Sequence, residues 1–157
     1  MLLTQSRDLV DFIPLLQELD FGVGDKFSLS MLHWCGIGQR AYPLAFWEVY
    51  IAIANQQAIG VTGLYRQMHT PSQIVWVGWF GVRPNYRRRG FASIMMDELK
   101  DLARGFNFKE LWVFTEPDNE AALGCYRKAG FIEVDTSKEE VPGTTHEPSD
   151  VKLKFLL

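Results

Sequence analysis

Cysteine is nearly absent. The 157 residues hold two, Cys35 and Cys125, far apart and in no metal-ligand spacing. Two thiols cannot build a disulfide framework, and both fit as inert core residues, so a reducing cytoplasm is the expected compartment and no metal is implied. No apolar run reaches the length of a membrane span, and the opening stretch MLLTQSRDLVDF carries acidic charge and no signal-peptide core, so no membrane partner is expected. Positive charge is not in excess either. The net charge of −3 argues against generic capture of nucleic acid, and a basic cluster must act locally. Repeats, low-complexity tracts and linkers are missing. There is no phosphate-binding G-x-x-x-x-G-K-[ST] loop, and the pairs Gly22-x-Gly24 and Gly36-x-Gly38 lack the third glycine of a dinucleotide fingerprint.

What is present suits one folded unit over residues 1–157. The chain is 47% hydrophobic and 13% aromatic, with five tryptophans, enough for a real core. SRDLVDFIPLLQELD spaces apolar residues helically to Leu19, with Ser6 as a cap and Pro14 as a disturbance. Residues 21–45 mix glycine with aromatics and predict a short helix and loops. FWEVYIAIA and AIGVTGLY, separated by NQQ, predict a β-hairpin, and QIVWVGWFGV is too continuous for an edge strand. A helix is expected from about Gly90 to Arg104, with Ile94, Met95, Leu99 and Leu102 on its apolar stripe. KELWVFT reads as a strand, NEAALGCYRKAG as a helix stopped at Gly130, and FIEVD and VKLKFLL as closing strands around a polar loop. The pattern predicts an α/β fold in a single domain: a mixed sheet with parallel central strands, antiparallel hairpins at the edges and flanking helices.

One stretch concentrates charge. In WFGVRPNYRRRGFASIMMDELK, Arg87, Arg88 and Arg89 stand together just before a helix. Free amides and the dipole at a helix start bind anions, arginine adds a bidentate cation, and Gly90 and Ala92 keep the approach clear. A solvated turn is the plainer reading of three arginines taken alone. A nucleic-acid contact is disfavoured because no second basic stretch extends it.

Arg87-Arg88-Arg89-Gly90-Phe91-Ala92 resembles the R/Q-x-x-G-x-G/A signature of the GCN5-related N-acetyltransferases, and FGVRPNYRRRGFA extends the likeness upstream. TEPDNEAALGCYRKAGFIEV resembles the same family's second signature, N-x-x-A-x-x-x-Y-x-x-x-G-F, at Asn119, Ala122, Tyr126, Gly130 and Phe131. The likeness covers residues 46–135 well and the first 45 poorly. It implies the acyl-CoA N-acyltransferase fold and acetyl-CoA as cosubstrate. It further implies a gap between strands ending near Val82 and Thr115, where backbone groups of Phe80 and Val82 pair with the pantetheine arm. Arg87, Arg88, Arg89, Gly90, Phe91 and Ala92 would hold the pyrophosphate, and Asn119 would orient the cofactor. Tyr126 would protonate the departing thiolate, and the amide of Val82 would hold the oxyanion. Without the resemblance, Asn119 is a good helix cap and Tyr126 a core aromatic.

The general base is less defined. Glu116 follows the strand that lines the cleft and is the first candidate, with a solvated loop role as its plain alternative. Glu48 and His33 lie in no motif. By the resemblance, specificity comes from the first helices, the hairpin loops and the segment TSKEEVPGTTHEPSDV; its Glu139, Glu140, Glu147 and Asp150 would attract a cationic amine if near the cleft, and a solvated acidic loop is their plainer reading. Trp34, Trp47, Trp76 and Trp79 can serve as pocket walls or as core. The expected partner is a small-molecule amine. A protein or peptide amine is the alternative, and a non-catalytic acyl-CoA-binding module is a third reading. A homodimer through VKLKFLL is an expectation by analogy.

Overall fold

A computed structural model describes residues 1–6, 15, 19, 44–143 and 148–157. Expectations that fall elsewhere lie outside the described residues: the disturbance at Pro14, the loops and short helix of 21–43 with His33, Trp34 and Cys35, and Glu147.

Seven strands form one mixed sheet: β1 (Leu3–Gln5), β2 (Leu44–Ala54), β3 (Gln57–Gln67), β4 (Ile74–Val82), β5 (Glu110–Thr115), β6 (Ile132–Glu133) and β7 (Val151–Leu156). Their order is β1-β2-β3-β4-β5-β7-β6. Two α-helices lie among the described residues, α1 (Phe91–Gly105) and α2 (Glu120–Lys128). None of the described helices is long and apolar enough to cross a membrane.

The β2–β3 hairpin arises where expected. Asn55 and Gln56 both adopt positive φ, 50° and 62°, and Ala54 pairs with Gln57. That is the twist-matched two-residue turn that right-handed strands prefer. Among the described strands only β4 and β5 pair in parallel, because α1 carries the chain back to the starting end of the sheet.

The structure departs from expectation at three places. The short strand β1 precedes the N-terminal helical pattern; three residues of mixed polarity give no periodicity to read. On α1 the buried stripe is Met95, Met96, Leu99 and Ala103 together with Lys100, while Ile94 is 46% exposed and Leu102 half-buried. The stripe is rotated because a lysine, which composition places outside, faces in. FIEVD also shrinks, since β6 keeps two residues.

Alternation sorts the sheet faces. Tyr50 and Ala52 join Leu64, Val75, Val77, Leu111 and Val113 in a core shared by α1 and α2. Val49, Ile51 and Val61 point to the opposite face and pack with Leu15 and Leu19. The amide of Leu19 donates to the carbonyl of Leu15 at 2.8 Å, one helical turn. On this second face the register aligns Trp47, Tyr65, Trp76, Trp112 and Lys154 in a row across five strands.

Candidate active site

The site begins where the parallel ladder stops. β4 and β5 pair at Ile74–Glu110, Val75–Leu111 and Trp76–Trp112, and no further. Beyond Trp76 and Trp112 the strands run on to Val82 and Thr115 without bonding to each other, so a wedge-shaped gap opens in the middle of the sheet. A β-bulge helps to open it. Val61 faces Gly81 and Gly63 faces Gly78, so β4 carries one residue more than β3 over that span, and Trp79 takes φ 42° to absorb it. Gly60 permits the close approach on the other side, since a Cβ there would lie 2.6 Å from the carbonyl of Gly81.

The polarity of the gap edge follows from alternation. The amide of Arg83 donates to Ile59 of β3 at 2.8 Å. The N–H and C=O of Val82 therefore turn the other way, into the gap, and the carbonyl of Val82 accepts from Nε of Arg87 at 2.9 Å. Such outward backbone groups are what an extended amide-bearing ligand pairs with.

Between β4 and α1 the chain makes a 3₁₀ turn, Pro84–Tyr86, followed by Arg88 at φ 58° and Gly90 at φ 85°. Gly90 is the N-cap of α1. No side chain caps the helix, and no acidic residue occupies its first turn. The first helical bond runs from Ile94 to the carbonyl of Gly90, so the amides of Phe91, Ala92 and Ser93 precede every carbonyl the helix could offer them. Open space lies where a Cβ of Gly90 would point.

The three arginines are exposed and differently held. Arg87 is tied to the strand end through Val82. Arg89 lies over the Tyr86 ring at 5.6 Å, and the Tyr86 hydroxyl donates to Oε1 of Gln57, just after the β2–β3 turn. Arg87 and Arg89 are thus each held by a neighbouring group while remaining exposed. Neither Lys100 nor the Gln57–Tyr86 link was foreseen among these features; the lysine inside the stripe of α1, one turn after Met96, was the legible signal.

Across the gap, α2 carries the second constellation. Asn119 is its N-cap, with Oδ1 accepting from the amide of Ala122 at 3.1 Å, so the capping role is real and leaves its amide N–H₂ available. Tyr126 is buried, 6% exposed, its ring against Phe80 at 6.3 Å and Phe131 at 6.0 Å. Burial pushes its phenol well above the ordinary tyrosine range, with a smaller contribution from Cys125. It stays protonated at neutral pH. The neighbouring Cys125 thiol is also pushed up by burial, which removes it as a thiolate nucleophile.

Glu116 sits exposed at the end of β5, where its backbone carbonyl accepts from Asn119 at 3.1 Å and closes the turn into α2. Glu48 accepts a hydrogen bond from Gln5 on β1. Trp76, on the opposite face, is core: 1% exposed, 5.5 Å from Trp112, its indole N–H donating to Pro142 at 3.0 Å. This last bond pins the β6–β7 connection over the apex of the gap. Trp47 and Trp79 are half-buried. Glu139 pairs with Lys154, and Glu140 is exposed.

Comparisons with known proteins bear on the family and the fold. The sequence profile of the Acetyltransferase (GNAT) family matches residues 16–131. The N-alpha-acetyltransferase RimI of Mycobacterium tuberculosis is 37% identical over 76 residues, 48% of this chain and 46% of that protein. An acetyltransferase of Yersinia pestis is 38% identical over 60 residues, 37% of this chain and 41% of that protein. The match therefore spans less than half the length of either curated relative. Among solved structures, an acetyltransferase from Streptococcus agalactiae superposes with a TM-score of 0.76 at 15% identity, covering 99% of this chain and 97% of that one. A Bacillus subtilis acetyltransferase in complex with CoA superposes with a TM-score of 0.70 at 18% identity, covering 99% and 97%. With the profile match covering most of its length, the chain belongs to the GNAT acetyltransferase family.

Proposed function

We propose that this protein is an acetyl-CoA-dependent N-acetyltransferase that moves the acetyl group directly to a primary amine. The observation that carries the reading is the uncapped start of α1 beside the open end of the β4–β5 gap, into which the N–H of Val82 is turned. Acetyl-CoA supplies the acetyl group as an activated thioester. Amides from Phe91 onward, with Arg87, Arg88 and Arg89, bind the pyrophosphate, and Gly90 and Ala92 leave room for it. Backbone groups of Phe80 and Val82 hold the pantetheine arm as an added strand. Asn119, its oxygen engaged in the cap, orients the cofactor through its N–H₂ group.

In direct transfer the amine must lose a proton and the departing sulfur must gain one. Tyr126 donates the second proton. A phenol kept neutral by burial holds that proton until negative charge develops beside it. The Val82 N–H, turned into the gap, stabilises the carbonyl oxygen. Glu116, exposed at the cleft end of β5, accepts the amine proton directly or through water.

The acceptor is read as a small amine, because the β6–β7 connection is folded down onto Trp76 beside the gap. Likeness to a relative named for N-alpha acetylation favours a second reading, a peptide N-terminus as acceptor.

Calorimetry with CoA and acetyl-CoA tests the cofactor assignment, comparing wild type, Gly90→Ala and Gly90→Glu. The alanine variant carries the same positive-φ strain without filling or charging the cradle. Binding to wild type and Gly90→Ala, lost in Gly90→Glu, supports the assignment and justifies a screen of small amines and short peptides for thiol release. Absence of binding to wild type overturns it.

A further inference from the structure

Lys100 is a charged residue that the proposed chemistry does not use, yet it is 7% exposed and sits on the buried stripe of α1. Burying an ammonium is costly unless it is paired and hydrogen-bonded. Its partners are specific. Nζ donates to the carbonyl of Ala129 at 2.6 Å and to the carboxylate of Asp97 at 3.2 Å, and it lies 4.4 Å from the centre of the Phe155 ring and 5.9 Å from that of Phe131.

These contacts join the two helices of the site. Ala129 is the C-cap of α2, where the helix dipole is negative and carbonyls lack helical partners. The adjoining cap folds back on the residue of interest: the amide of Phe131 donates to the carbonyl of Tyr126 at 3.0 Å, and the Phe131 ring packs 6.0 Å from the Tyr126 ring. Phe131 in turn meets Phe155 at 5.6 Å. At its other end, α1 begins with the Gly90 cradle. A single ammonium therefore ties the helix that would receive the pyrophosphate to the end of the helix that carries Tyr126.

We propose that Lys100 is a positioning residue: through Ala129 and Phe131 it fixes the placement of Tyr126 relative to the cofactor cradle. The inference rests on the acetyltransferase reading for its kinetic consequence, but the positional coupling itself does not require activity. An isosteric apolar side chain removes the strut without opening a large cavity, so Lys100→Met separates position from packing; Lys100→Gln keeps a donor for Ala129 and removes the charge.

Two measurements test it. Fluorine NMR of protein carrying fluorotyrosine at position 126 reports ring placement without any substrate. A shifted or broadened signal in Lys100→Met, restored towards wild type in Lys100→Gln, is expected. An unchanged signal overturns the proposal. If Lys100→Met does not fold, Lys100→Leu against wild type gives the same test, since it too removes the donor to Ala129, and an unchanged signal is again decisive.

The second measurement is a kinetic double-mutant cycle with Tyr126→Phe, using an amine found in the screen. Lys100→Met should lower kcat about tenfold or more while the Kd for CoA stays within about twofold, and it should add little to the loss caused by Tyr126→Phe, since both act on one proton transfer. Independent, multiplying losses overturn the proposal. Failure of wild type to bind CoA, with the NMR coupling intact, would instead count against the acetyltransferase reading alone.

Discussion

The guanidinium Nε of Arg87 donates to the carbonyl of Val82 at 2.9 Å, bending the arginine-rich loop back onto the strand end that borders the gap. Arg87 is the one of the three whose side chain has a hydrogen bond to the strand end, although all three are exposed. Arg87→Ala should weaken CoA binding by about tenfold or more, the scale of one lost charge-assisted hydrogen bond. Arg88→Ala should cost less, because no comparable bond of Arg88 is present among the described residues. Calorimetry of the two variants at low and high salt checks the order.

Tyr126→Phe retains the ring contacts with Phe80 and Phe131 and removes only the hydroxyl group. The expected result is a fall in kcat of about a hundredfold or more, as for loss of a general acid, with CoA affinity and melting temperature near wild type. A variant with full turnover would show that another group, or water, meets the thiolate.

Asn119 has two roles to separate. Asn119→Ala should destabilise the fold by about 1 kcal/mol through loss of the cap to Ala122. Asn119→Asp keeps the capping oxygen and should retain stability in urea unfolding. If the amide N–H₂ contacts the cofactor, both variants lose CoA affinity together; if Asn119 only caps, affinity survives in the aspartate variant.

Alkaline stability follows from two buried phenols. Burial, with a smaller effect of Glu48, raises Tyr50 from 10.0 to about 12, and burial raises Tyr126 further in the same direction. Between those values the folded state holds protons that the unfolded state has released. The contribution of Tyr50 is therefore fully present below about pH 10 and lost as pH rises through about 12. Urea midpoints should be flat below pH 10 in this respect and fall above it, and Tyr50→Phe should flatten that fall.

Much of the site was legible in the residues. The hairpin around Asn55, the central placement of β4, the cap at Asn119 and the anion cradle at Gly90 each depend on local chemistry: a turn that needs positive φ, a run too apolar for an edge, a side-chain acceptor three residues before an amide, a helix start without a cap. Those signals lie within a few residues of one another, so a one-dimensional reading finds them. The strand β1 was missed because three residues carry no period, and of the expected α1 stripe Met95 and Leu99 are buried and Leu102 packs against the core, while Ile94 is exposed and Lys100 takes a buried place that its charge did not suggest.

By itself, then, the sequence determined the mixed α/β class and the positions of most described strands and of α1 and α2, and its two signatures supplied the residues proposed to meet a diphosphate and to give a proton. Tertiary structure alone decided which faces those residues share. That β4 and β5 part after Trp76 and Trp112, that Trp79 absorbs a bulge, and that Lys100 reaches Ala129 from another helix are set by packing between segments distant in the chain. Register, splay and the burial of a charge are balances among such contacts, and no local propensity encodes them.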